Sequence, residues 1–135
     1  MKKLLIAGIG LAASGLASSE DVTGVNRMIC ASGQAHICLE TGECYAAPSW
    51  ELSIPDFVII DTKKGVIATT RASGLNRSTE FTKSERKEGL IHLQGVDGGR
   101  AFSFVIHEQT GRMTAAIARD GLSVTVFGAC TATDL

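Results

Sequence analysis

The stretch HICLETGEC, residues 36 to 44, holds one histidine, two cysteines and two acids within nine positions. Three chemistries use such a group: a metal site, a thiol redox site, or a short loop closed by a disulfide. A metal site needs both cysteines as thiolates with His36 as a third ligand, but H-x-C-x5-C matches no common zinc spacing. A redox pair of the C-x-x-C kind is missing from the chain. The disulfide reading suits the spacing. Thr41-Gly42 lies midway between Cys38 and Cys44, and a tight reversal there brings the two Cβ atoms face to face. His36, Glu40 and Glu43 then become the polar surface of a hairpin. The alternative, a metal or enzymatic centre on His36, Cys38 and Cys44, requires both cysteines reduced.

Other motifs carry less. SERK, residues 84 to 87, matches the S-x-x-K nucleophile pattern, which needs a helix start and further partner motifs that this chain lacks. Asn76-Arg77-Ser78 matches the N-glycosylation pattern, useful only on a eukaryotic secretory route. No catalytic residue, metal or cofactor is assigned. Binding is assigned to loop side chains instead: Tyr45 and Trp50 at one end of the fold, and Arg71, Arg77 and Phe81 in the long polar stretch 71–89. Trp50, bracketed by Pro48 and Pro55, suits a lid over one end of the core, or else a ligand-mouth wall or partner anchor.

The elements that position these residues start after a leader. MKKLLIAGIGLAASGLASSED has a basic start at Lys2 and Lys3, an apolar run from Leu4 to Ala13, and small residues before the first acids. That is the layout of a secretory signal peptide over residues 1–19, with cleavage after Ala17 or after Ser19. The run is shorter than the roughly 18–20 residues that a spanning helix needs. Residues 20–135 read as one exported domain, periplasmic or secreted. Of the 13 Lys and Arg, two fall in the leader, leaving 11 against 14 Asp and Glu, a formal net charge of −3. A weakly acidic chain with no basic stripe argues against nucleic acid and against an anionic membrane surface as partners.

All four cysteines lie in the mature part, and an even number in an exported domain favours disulfides. Three connectivities exist. The preferred one joins Cys38 to Cys44 and Cys30 to Cys130, the latter tying the first strand to the last.

From Ile54 onward, apolar runs alternate with short turn signals, which is the pattern of hairpins. A two-residue loop at Asp97-Gly98 sets Leu93 against Phe102 and Ile91 against Phe104. A turn at Gln109-Thr110 sets Ile106 against Met113, and one at Asp120-Gly121 sets Ile117 against Val124. All three place apolar residues on one face and His92, Ser103, His107, Thr114 and Thr125 on the other. In this register His92 and His107 are four residues apart along the strands, about 13 Å, too far to share a metal. The expected fold is all-β: a small antiparallel meander barrel, or a compact sandwich, of about seven or eight strands stapled by disulfides. The stretch 71–89 is read as a mobile loop or one irregular strand around Phe81, with KSERKEG a solvated loop. The interior is expected to be filled rather than hollow.

The tail GRAFSFVIHEQTGRMTAAIARDGLSVTVFGACT, with C...GEC...W...IPDF.IID before it, resembles a group of small exported bacterial proteins with no assigned activity. The likeness covers most of the mature chain. It implies a periplasmic location and no catalytic or binding residues. A rigid scaffold with no catalytic constellation and one long polar loop gives as the expected function a non-enzymatic exported binding or inhibitor-type β-domain acting through its loops on an envelope or secreted partner. A structural accessory of a cell-envelope complex is the third reading.

Overall fold

A computed structural model of the chain describes residues 21–135. The signal peptide read over residues 1–19, with its cleavage after Ala17 or Ser19, lies outside the described residues. The described residues contain ten strands: β1 (Arg27–Leu39), β2 (Cys44–Pro48), β3 (Phe57–Asp61), β4 (Val66–Thr69), β5 (Ser78–Glu80), β6 (Lys83–Lys87), β7 (Leu90–Asp97), β8 (Arg100–His107), β9 (Arg112–Arg119) and β10 (Leu122–Ala132). They form one antiparallel sheet in the order β5-β4-β3-β1-β10-β9-β8-β7-β6, with β2 added beside β1.

The strands at the two ends of this order, β5 and β6, are consecutive in the chain and separated only by Phe81 and Thr82. Phe81 N donates to Gly65 O beside β4 (3.0 Å), and Thr82 N donates to Gln94 O on β7 (2.9 Å). The sheet therefore curls until its ends meet across one peptide unit, and the fold is barrel-like rather than a sandwich. The strand count exceeds the expected seven or eight for two reasons. The Cys38–Cys44 hairpin supplies β2, and the polar stretch supplies two short strands where one was expected. KSERK is the strand β6 and no loop. It has no apolar residue to reveal its alternation, yet its backbone pairs with β7 from Lys83↔Gln94 to Lys87↔Leu90. SERK accordingly lies on a strand, away from any helix start.

Both disulfides join residues that stand directly opposite in the ladders. Cys30 pairs with Cys130 between β1 and β10, their Cα atoms 4.0 Å apart. Cys38 pairs with Cys44 between β1 and β2, with Cα atoms 4.1 Å apart. The first bond is buried in the core and the second sits at the far tip of β1.

The turns at Gln109-Thr110 and Asp120-Gly121 give the expected registers, Ile106↔Met113 and Ile117↔Val124. The β7–β8 register differs. Asp97 pairs with Arg100, so the loop is Gly98-Gly99, Leu93 faces Phe104 and Ile91 faces Ile106. DGG offers two adjacent turn positions, and both keep the same residues inward, so alternation alone does not choose between them. Both glycines have positive φ, 58° and 76°, as a two-residue hairpin loop with left-handed central residues requires.

Apolar side chains fill the inside in two clusters. One groups Met28, Cys30, Ile60, Phe81, Ile91, Leu93, Ile106, Met113 and Cys130; the other groups Ala35, Ile37, Ala115, Val124 and Val126. The two ends of the curled sheet are finished differently. At one end Val22, fully buried, covers the first cluster, and its N–H bonds Glu108 O at 2.7 Å. Asp21, just before it, has its carboxyl held below the usual range by hydrogen bonds from Thr23. Arg86 adds a salt bridge to Glu108 (3.2 Å) and a bond to Val25 O, and Arg27 pairs with Asp61 at 3.4 Å. These contacts close that end. The folded region thus begins before Cys30, in residues whose sequence carries no periodic signal.

Candidate functional site

The other end is open. β3, β4 and β5 are five, four and three residues long, whereas β8, β9 and β10 have eight, eight and eleven. The wall is therefore low on one side. β1 has two successive partners along the same edge, β3 over residues 27–31 and β2 over 34–38. Between them its register with β10 shifts at Ser32–Ala35, a β-bulge that bends the strand. The chain leaves β2 there, makes a short 3-10 helix (Ser49–Leu52), and returns through Ser53–Asp56. Buried Ser49 anchors this excursion by donating its hydroxyl to Gly33 O, and Asp56 O accepts from Ser32 N at 2.8 Å. Leu52 and Ile54 pack on the second core cluster.

A cavity of about 140 Å³ lies beneath this excursion and opens to solvent. The expected filled interior is thus corrected: the inside is packed at the closed end and hollow toward the open one. Two causes are visible. The walls of β3–β5 stop short, and Ala115, an inward position of the lining, brings little bulk. The floor and sides are apolar: Ile54, Val58, Ile67, Phe102, Phe104, Met113, Ala115, Ile117 and Val126. Phe102 and Phe104 meet edge to face at 5.9 Å. The rim is polar, with Ser53, Arg77, Ser78, Thr79, Asp97 and Arg100. Arg77 Nη1 donates to Ser53 O (2.9 Å), and Thr79 Oγ1 donates to Asp97 Oδ2 (2.7 Å). These bonds tie β5 to the end of β7, and the loop before β5 to the excursion after β2.

The residues assigned to binding from the sequence separate in space. Arg77 reaches the cavity rim. Trp50 is 68% exposed on the 3-10 helix, so it is no lid over the core; Leu52 and Ile54 take that place. Tyr45, half exposed on β2, and Arg71, exposed on a second 3-10 turn (Arg71–Ser73), stand apart from the cavity. Phe81 is 9% exposed and belongs to the core, where it fills the step between β5 and β6. Arg100, Asp97, Phe102 and Phe104 are site residues that sequence reasoning misses. They read as an ordinary hairpin, and their place at a mouth depends on strands far off in sequence being short.

Cys38 and Cys44 are both bonded, so neither offers a thiolate beside His36. His36 lies on the outer face, its ring edge-on to Phe127 at 6.0 Å. The corrected register sets His92 opposite Val105 and only two residues from His107. The two histidines are thus diagonal neighbours, roughly 7–8 Å apart, and not separated by four residues. Among the described residues no three His, Cys, Asp or Glu side chains converge as metal ligands, and no helix there is long and apolar enough to cross a membrane.

This chain matches no protein family, no curated protein and no solved structure.

Proposed function

We propose that the protein is an exported, non-enzymatic binding domain that takes a small apolar group into the open end of its barrel-like sheet. One observation carries this reading: an apolar cavity of about 140 Å³ that is open on one side, in a sheet whose other end is plugged by Val22 and two salt bridges. A dry apolar hole of comparable size, roughly 150 Å³, accommodates a benzene-sized guest. Ligand sites at the mouths of β-barrels follow the same plan of apolar walls with a few polar rim groups. The leader pattern and the two disulfides support an exported, oxidising setting.

The methionines allow a direct test. Met113 lines the cavity, whereas Met28 is fully buried among the closed-end residues. Titration of methyl-labelled protein with toluene is expected to shift the Met113 methyl resonance in a saturable manner and to leave Met28 in place. Equal movement of both methyls, or of neither, overturns the reading.

A second reading rests on Trp50, the most exposed aromatic side chain among the described residues. It would anchor a protein partner in the manner of an inhibitor-type domain, since exposed aromatic residues dominate binding hot spots. Loss of partner capture by Trp50→Ala, with toluene binding intact, would favour it.

A further inference from the structure

We infer that the natural occupant of this cavity is a small amphiphilic carboxylate, its hydrocarbon part inside and its anionic head against Arg77 and Arg100; this rests on the cavity reading above. Charge complementarity is the reason. The rim carries two guanidinium groups and one carboxylate, Asp97. Among the described residues the only ion pairs are Arg27–Asp61 and Arg86–Glu108, both at the closed end. Asp97 is engaged by the Thr79 hydroxyl and pairs with neither rim arginine within ion-pair distance. Arg77 uses Nη1 on Ser53 O, which holds its planar group at the rim, and the other guanidinium N–H donors bond no group among the described residues. Arg100 lies beside the Gly98-Gly99 turn, with Nη2 3.6 Å from where a Cβ at Gly98 would stand.

Two guanidinium groups over an apolar shaft select against a cationic head and in favour of a carboxylate, which each can bind through paired N–H donors. A neutral alcohol of the same chain length fills the same shaft but makes no charge-assisted bond. The arginines are solvent-accessible, so the preference is set by a screened interaction and is modest. The size of the hole limits the tail to a short acyl chain or one ring. Aliphatic and aromatic acids share the recognised chemistry.

The test compares hexanoate, phenylacetate, 1-hexanol and hexylamine on the full mature chain, read by the Met113 and Met28 methyl resonances. At low salt, hexanoate is expected to bind about three- to tenfold more tightly than 1-hexanol, with hexylamine weakest. Phenylacetate against hexanoate separates a ring from a chain. Arg100→Gln, which leaves Arg77 alone at the rim, is expected to reduce the acid's advantage and leave the alcohol unchanged. Asp97→Asn, which removes the opposing charge, is expected to increase that advantage. Equal binding of acid and alcohol overturns the carboxylate inference while the cavity reading stands. Failure of every compound, including toluene, to move Met113 overturns both. A shift at Met113 that Arg100→Gln and Asp97→Asn both leave untouched also overturns the assignment of the head group.

Discussion

Gly95 stands directly opposite Phe102 across β7 and β8, and a Cβ built on Gly95 would lie 2.5 Å from the Phe102 ring. The missing side chain is therefore what lets the ring lie across the strand and form part of the cavity wall. Gly95→Ala must push the ring toward the hollow. The expected cost is about 1–3 kcal/mol of stability, typical of overpacking, together with weaker toluene binding. Denaturant melts and the Met113 titration check both effects. An unchanged stability with unchanged binding would show that the ring has room elsewhere.

The two disulfides should contribute unequally. Cys30–Cys130 closes a separation of 100 residues, and Cys38–Cys44 one of six. On the chain-entropy model these are worth about 4.7 and about 2 kcal/mol. The Cys30→Ala/Cys130→Ala variant is expected to be unfolded or barely folded at 37 °C. The Cys38→Ala/Cys44→Ala variant should fold with a lowered melting temperature. Equal melting temperatures for the two would contradict the ranking.

Val22 tests whether the residues just before β1 belong to the fold. Its side chain is fully buried at the closed end. Val22→Ala is expected to cost about 2 kcal/mol, measured by chemical denaturation. An effect below about 0.5 kcal/mol, the usual range for surface substitutions, would show that this plug is not part of the cooperative unit.

Trp50 and Phe81 make a contrasting pair. Both are aromatic and both sit in polar surroundings in the sequence, yet one is 68% exposed and the other 9%. Trp50→Ala is expected to change stability by less than about 0.5 kcal/mol. Phe81→Ala should cost about 3 kcal/mol or more. A reversal of that order in thermal melts would show that the two roles are exchanged.

Much of the architecture is legible in the sequence because its signals are local. Period-two alternation around Gln109-Thr110 and Asp120-Gly121 is enough to set Ile106 against Met113 and Ile117 against Val124. A slip of one residue there would turn every apolar side chain outward. Spacing around Thr41-Gly42, with one cysteine near each end of the domain, is enough for both disulfides. The β7–β8 register is different: a slide between the two turn positions of Asp97-Gly98-Gly99 keeps the same face apolar, so alternation does not decide it, and the structure shows the turn on the two positive-φ glycines. β6 stays hidden because a strand whose inward positions are Ser84 and Arg86 has no hydrophobic alternation to display. The cavity belongs wholly to the tertiary structure. It exists because β3–β5 end early while β8–β10, on the other side of β1, run longer, and because Arg77, Asp97 and Arg100 meet at the rim that this difference leaves open. Strand pairing is encoded by neighbours in the chain, whereas a hollow is defined by what several distant segments together fail to fill.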